Sequence, residues 1–236
     1  MSQEKAPRRR FLRQVLAIVP AAAVATGTAV SQAGCVRQEA AAGAAYEPKY
    51  FTAAEWRFLH AALDRLIPAD ELGPGAVQAR VPEFVDRQME LPYGHGKLWY
   101  MQGPFHPGQP PEMGYQLSLT PREVYRHGIA ACDGHCRKTF GKPFADLDHA
   151  RQEQVLADME HGKVELEAVP ARTVFSQLLA NAKEGFLSDP IHGGNHDMAG
   201  WKLVGFPGAR ADFADWIDQP NTRYPYGPVS ISGKQG

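Results

Sequence analysis

Thr120-Pro121-Arg122-Glu123-Val124-Tyr125-Arg126-His127-Gly128-Ile129-Ala130-Ala131-Cys132-Asp133-Gly134-His135-Cys136-Arg137-Lys138-Thr139-Phe140-Gly141 is the stretch on which the fold class turns. It opens with a capping box, Thr120 and Glu123 satisfying each other's end of the first turn, and Pro121 takes the first helical position. Tyr125, Ile129, Cys132, Cys136 and Phe140 then recur at spacings of four, three, four and four, which draws one apolar stripe along a helix. Gly141 follows as the C-cap.

The same signs recur on either side. Thr52-Ala53-Ala54-Glu55 is another capping box, followed by Trp56, Leu59, Leu63 and Leu66 on one face and ended by Pro68. After a turn at Asp70 to Gly75, Ala76 to Met89 reads as a shorter helix. It has Pro82 near its start and buries Val81, Phe84, Val85 and Met89. Toward the C-terminus a helix is predicted from about Asp148 to Glu160, with Val155, Leu156 and Met159 inward. Another is predicted from about Ala171 to Phe186, with Val174, Phe175, Leu178, Leu179 and Ala182 inward. No segment alternates long enough for a strand. The prediction is an all-α fold: a single compact helical domain of about five helices.

Two long Gly/Pro-rich loops interrupt it. In residues 91–118, ten of 28 are Gly or Pro and five more are aromatic (Tyr93, Trp99, Tyr100, Phe105 and Tyr115). Disordered segments are poor in aromatics, and a long loop without periodicity in a compact domain is functional or disordered. An ordered arm lying on a surface of this chain or of another is therefore expected. Trp99 and Phe105 are the candidate anchors on a partner, and capping of the helical bundle is the alternative. Ser188-Asp189-Pro190-Ile191-His192-Gly193-Gly194-Asn195-His196-Asp197 stops the last helix. Pro190 removes a donor and turns Asp189 away from the α region. Gly193, Gly194 and Asn195 tolerate positive φ, which implies a tightly folded loop. Trp201 and Gly205-Phe206-Pro207-Gly208 close it.

At 236 residues, 44% hydrophobic, the chain has the composition of one globular domain after a leader. Residues 1–44 hold six basic and two acidic side chains, so the formal charge of -1 leaves -5 on residues 45–236. A mildly acidic body argues against a nucleic-acid partner, which needs a Lys/Arg patch. The three cysteines, Cys35, Cys132 and Cys136, are too few for a disulfide framework.

The leader resembles a twin-arginine export signal. Arg8, Arg9, Phe11 and Leu12 carry the motif, Arg13 supplies the following base, and Pro7 stands where Ser or Thr is usual. The apolar run Val15 to Val30 is weaker than the ~20 apolar residues of a membrane span. Residues 1–44 are thus expected to be signal and linker, residues 45–236 the domain, and the periplasm the destination. A basic tail beside a buried helix is the rival reading. Gln32-Ala33-Gly34-Cys35 resembles a lipoprotein box with Gln32 where an aliphatic residue belongs. A lipid on Cys35 and cleavage near the Ala-rich residues 40–45 are the two readings of the signal's end.

Candidate chemistry is sparse. Cys132-Asp133-Gly134-His135-Cys136 has neither the order nor the spacing of a haem attachment motif. Both thiols fall on the apolar stripe, so core packing is expected, with a metal or redox role as the alternative. Asp189, His192, His196 and Asp197 are the right residue types for a divalent metal but match no known spacing, and such residues also brace loops. His60 and His149 are expected to face solvent. There is no dinucleotide fingerprint, nucleophile elbow, His-Glu-x-x-His, phosphate-binding loop or iron–sulfur cysteine set. No catalytic residue and no bound cofactor are predicted for this chain.

An ordered series of short motifs resembles the gluconate 2-dehydrogenase subunit 3 family, the small or gamma subunit. It comprises Arg65-Leu66-Ile67-Pro68-Ala69-Asp70, Gly73-Pro74-Gly75-Ala76, Gly103-Pro104-Phe105, Gly141-Lys142-Pro143-Phe144, Ser188-Asp189-Pro190 with Gly193-Gly194-Asn195, and Gly200-Trp201-Lys202 with Gly205-Phe206-Pro207-Gly208. The likeness spans nearly all of residues 48–210. It implies a flavin (FAD) large subunit of the glucose-methanol-choline type as partner, usually with a cytochrome c subunit. It also implies oxidation of a sugar or sugar acid on the periplasmic side, with FAD and haem c held by the partners. Membrane association would come through that complex. Cys132 and Cys136 lie outside the family pattern. The resulting expectation is a non-catalytic subunit acting in docking, maturation and co-export of the FAD subunit, with Trp99, Phe105, Asp189, Gly193, Gly194, Asn195 and Trp201 as interface or structural-loop residues. The rival is a free-standing periplasmic binding module or metal-dependent enzyme using Asp189, His192 and His196.

Overall fold

The computed structural model describes residues 46–212, 214–222 and 224–236. The expectations placed on Arg8, Arg9, Phe11, Leu12 and Cys35 fall outside the described residues. Those residues form six α-helices: α1 (Ala53–Leu66), α2 (Val81–Glu90), α3 (Pro121–Phe140), α4 (His149–Glu160), α5 (Ala171–Leu187) and the short α6 (Ala199–Val204). Among them there is no strand, only isolated bridges such as Gly208 with Val229. None of these helices is long and apolar enough to cross a membrane.

Capping chemistry places the helix starts where the sequence put them. At α1, Glu55 accepts from the Thr52 N–H at 2.8 Å and returns its own N–H to the Thr52 hydroxyl. At α3, Glu123 accepts from the Thr120 N–H at 2.7 Å, and Gly141 closes the helix at φ 76. The helix α2 begins five residues later than expected. Residues 76–80 form turns and Arg80 adopts φ 58, a left-handed conformation through which no right-handed helix runs. Pro82 then sits in the first turn, where its missing N–H costs nothing. The short helix α6 was not anticipated, because six residues that include Gly200 carry too little periodicity to read.

α5 is the central helix and packs on all the others. The core gathers Phe58, Leu59 and Leu63 of α1, Val85 and Met89 of α2, Val124, Tyr125 and Ile129 of α3, Val155 and Met159 of α4, and Val174 and Leu178 of α5. Burying such side chains contributes roughly 1.5–3 kcal/mol each against the entropy of ordering the chain. Trp56, Leu66 and Leu179, expected inward, lie half-buried at the margin of this core. His149 is exposed as expected. His60 instead lies edge-on to Trp56 at 4.7 Å, with its Nε2 buried and unpartnered among the described residues; burial pushes its pKa down.

Buried polar side chains tie irregular segments to the helices. Asp86 is 0% exposed and accepts from the Tyr46 hydroxyl at 2.7 Å and from the N–H groups of Lys49, Tyr50 and Phe51 at 2.8, 3.0 and 3.1 Å. A carboxylate so surrounded fixes residues 46–51 on α2. Asn181, also fully buried, accepts from the Tyr125 hydroxyl at 3.0 Å and donates to the Tyr93 hydroxyl at 3.1 Å, which roots the arm on α5.

Candidate functional site

The loop after α5 folds back on the end of that helix. Asp189 caps the turn Pro190–His192 by accepting from the Ile191 N–H at 3.0 Å, and its other oxygen accepts from the Ile231 N–H at 2.7 Å. Asn195 spans the loop: its side chain donates to Ser188 C=O and accepts from the Gly200 N–H, both at 2.8 Å. The Trp201 indole N–H donates to Leu187 C=O at 2.7 Å, and its ring lies edge-on to Phe206 at 5.1 Å. His196 N–H reaches Ala79 C=O at 3.0 Å, joining the loop to the turns before α2.

Close approach explains the glycines. A Cβ on Gly194 would lie 2.2 Å from Gly185 C=O, and one on Gly200 would lie 2.0 Å from Phe186 C=O. Positive φ extends past the residues that sequence singles out. Gly193 and Asn195 adopt it, at 104 and 47, and so do Asp197 and Met198, at 52 and 56. Met198 is fully buried, so packing holds a conformation that costs about 1–3 kcal/mol.

The candidate metal ligands of the loop are not assembled into a site. Both Asp189 oxygens are turned to backbone donors, His192 is exposed, and His196 pairs through Nδ1 with Asp197 at 2.9 Å. Among the described residues no group of three or more His, Cys, Asp or Glu side chains converges. Cys132 and Cys136 are buried free thiols, in keeping with their place on the stripe. The neighbouring Cys136 thiol and burial push the Cys132 thiol well above its usual range.

The arm divides in two. At its root Trp99 is held between Tyr93, edge-on at 5.8 Å, and Tyr115 at 4.8 Å. The Tyr115 hydroxyl donates to Leu119 C=O at 2.6 Å; burial pushes that phenol's pKa up to about 12. Phe105 is half-buried against Gly103. Beyond the root, Leu98, Tyr100 and Met113 are 69%, 79% and 63% exposed. An open apolar groove of about 580 Å³ beside the loop is lined by Phe84, Gln88, Leu187 and His192. A larger cleft, about 930 Å³, lies elsewhere, between the second half of α3 and residues 162–172, with Lys138, Lys163, Glu165 and Arg172 on its walls.

Sequence reasoning missed Asp86, Asn181 and the particular contacts of the tail. Residues 209–236 wrap the loop: Ala209 N–H donates to Val229 C=O at 2.7 Å, Val229 N–H to Pro207 C=O at 3.1 Å, and Lys234 reaches Asp197 at 3.1 Å, holding that carboxyl below its usual range. Arg210 lies over Tyr224 and Tyr226 at 5.8 and 5.2 Å. No periodicity marks this tail. Asp86 had a faint signal, a carboxylate next to Val85 on an otherwise apolar face.

The family model described as gluconate 2-dehydrogenase subunit 3 matches residues 53–208, from the first residue of α1 to the glycine that bridges to Val229. No curated protein and no solved structure matches the chain.

Proposed function

The chain belongs to the gluconate 2-dehydrogenase subunit 3 family, and from that premise we propose that it is the non-catalytic small subunit of a periplasmic, membrane-associated flavoprotein dehydrogenase. The coarser part follows from the family itself: an accessory subunit of a dehydrogenase complex. The finer reading is that it docks the FAD subunit, helps it mature and lends it the export signal, while FAD and haem c stay on partner subunits. The complex would oxidise gluconate or a related sugar or sugar acid. One observation supports this above the others. The buried polar side chains of the Gly-Gly-Asn loop, Asp189 and Asn195, are spent on backbone groups of the chain itself, so the loop serves as a brace. The exposed apolar tip of the arm offers the anchors that a docking subunit needs. For the rival metalloenzyme, the placing of Asp189, His192 and His196 gives no support.

The export signal supplies the test. Arg8→Lys with Arg9→Lys is expected to leave both this subunit and its flavoprotein partner in the cytoplasm, as read by fractionation. Normal periplasmic levels of the partner in the double variant would end the co-export reading.

A further inference from the structure

Two cysteines of α3 and one methionine of α4 share the buried core. Cys132 and Cys136 stand one turn apart on the inner face of α3, Met159 faces them from the last turn of α4, and all three are 0% exposed. The Cys132 thiol donates to Met159 Sδ at 3.7 Å, and Cys136 lies one helical turn further along the same face of α3. No harder donor joins them. Asp133, the nearest carboxylate in sequence, accepts from the Phe144 N–H at 3.0 Å and from Arg137 at 3.3 Å.

We propose that Cys132, Cys136 and Met159 form a buried three-sulfur site for copper(I). Thiolate and thioether are the ligands that select copper(I), whereas zinc asks for four ligands and calcium or magnesium for oxygen. Three sulfurs at about 2.3 Å from one ion lie about 4 Å from each other. The 3.7 Å between Cys132 and Met159 is within a few tenths of that spacing, and Cys136, one turn along the same face, is placed to complete the set. Its entry displaces thiol protons, because a coordinated thiol is deprotonated outright. A site so deeply buried fills as the domain folds or through local opening between α3 and α4. This inference stands apart from the docking function and rests on none of its residues.

The test titrates copper(I) anaerobically into the reduced full chain, in competition with a chromophoric copper(I) chelator. A Cys35→Ser background leaves the helix thiols as the available ones. One ion per chain is expected, with a sulfur-only shell by X-ray absorption. Cys132→Ala or Cys136→Ala should lower the affinity by about 100-fold. Met159→Leu conserves volume, so it should lower the affinity about tenfold while leaving the melting temperature nearly unchanged. Failure to hold copper against the chelator, or equal affinity in wild type and Met159→Leu, would overturn the proposal.

Discussion

Residues 188–208 and residues 91–118 share a vocabulary of Gly, Pro and aromatic side chains, yet one is drawn into the helical body and the other leaves it. In the first, Asp189, Asn195 and Trp201 hydrogen-bond to backbone groups of α5, of the loop and of the tail, and glycines sit where no Cβ fits. In the second, only the root is tied down, by Tyr93, Trp99 and Tyr115 and by the Arg122 N–H to Gly94 C=O at 3.2 Å. From Tyr100 to Gly114 the backbone bond among the described residues is local, Met113 N–H to Pro110 C=O at 2.9 Å. An aromatic in a Gly/Pro loop therefore has two fates. Where polar side chains convert the turn into a brace, Trp201 packs inward; where they are missing, Tyr100 is left in solvent.

The sharpest way to break this contrast is to add one methyl group to each loop. Gly200→Ala puts Cβ 2.0 Å from a backbone oxygen and is expected to cost about 3 kcal/mol or more in urea unfolding. Gly108→Ala in the arm meets nothing within 4 Å, at φ 95, and should cost only about 1–2 kcal/mol, the left-handed strain alone. Equal costs would mean that the two loops are braced alike.

Next comes the tie between loop and tail. Asp189→Ala leaves the N–H groups of Ile191 and Ile231 without their acceptor and should cost about 2 kcal/mol. Deleting residues 209–236 removes one of the same bonds. The two changes together should therefore cost less than their sum, and strict additivity would show that the tail acts elsewhere.

The smallest expected effect lies at the arm's root. Hydrogen bonds from the Thr120 hydroxyl and N–H hold the Glu123 carboxyl below its usual range. A depressed folded pKa gives stability that is present above the unfolded value, about 4.3, and is lost as pH falls through the folded value. Glu123→Gln should thus cost about 0.5 kcal/mol at pH 7, and the difference from wild type should shrink to nothing in acid. A difference independent of pH would point to packing and not to the charge.

These comparisons also show what the sequence could and could not convey. Four of the helices were legible because capping boxes and apolar spacing are local, and α2 lost only its first turn to a left-handed Arg80. Loop 188–208 was legible as a tight turn from Gly193 and Asn195. Its helix α6 and the positive φ of Asp197 and Met198 were not, since packing imposes them. Asp86, Asn181 and the tail act through partners 22 to 88 positions away, and no local pattern carries such contacts. The same holds for Trp99, whose place between Tyr93 and Tyr115 depends on how the arm folds.

A tagged full chain, purified gently from its own host, tests the central claim most directly when it is compared with a Leu98→Ser, Tyr100→Ser variant. Both side chains are exposed, so the variant should melt like wild type, within about 0.5 kcal/mol. Wild type is expected to bring along a flavin-containing dehydrogenase subunit in roughly equal amount. The variant should lose most of it, about 2 kcal/mol or more in affinity. A wild-type chain that emerges without any flavoprotein would contradict the account, and so would a variant that retains its partner in full.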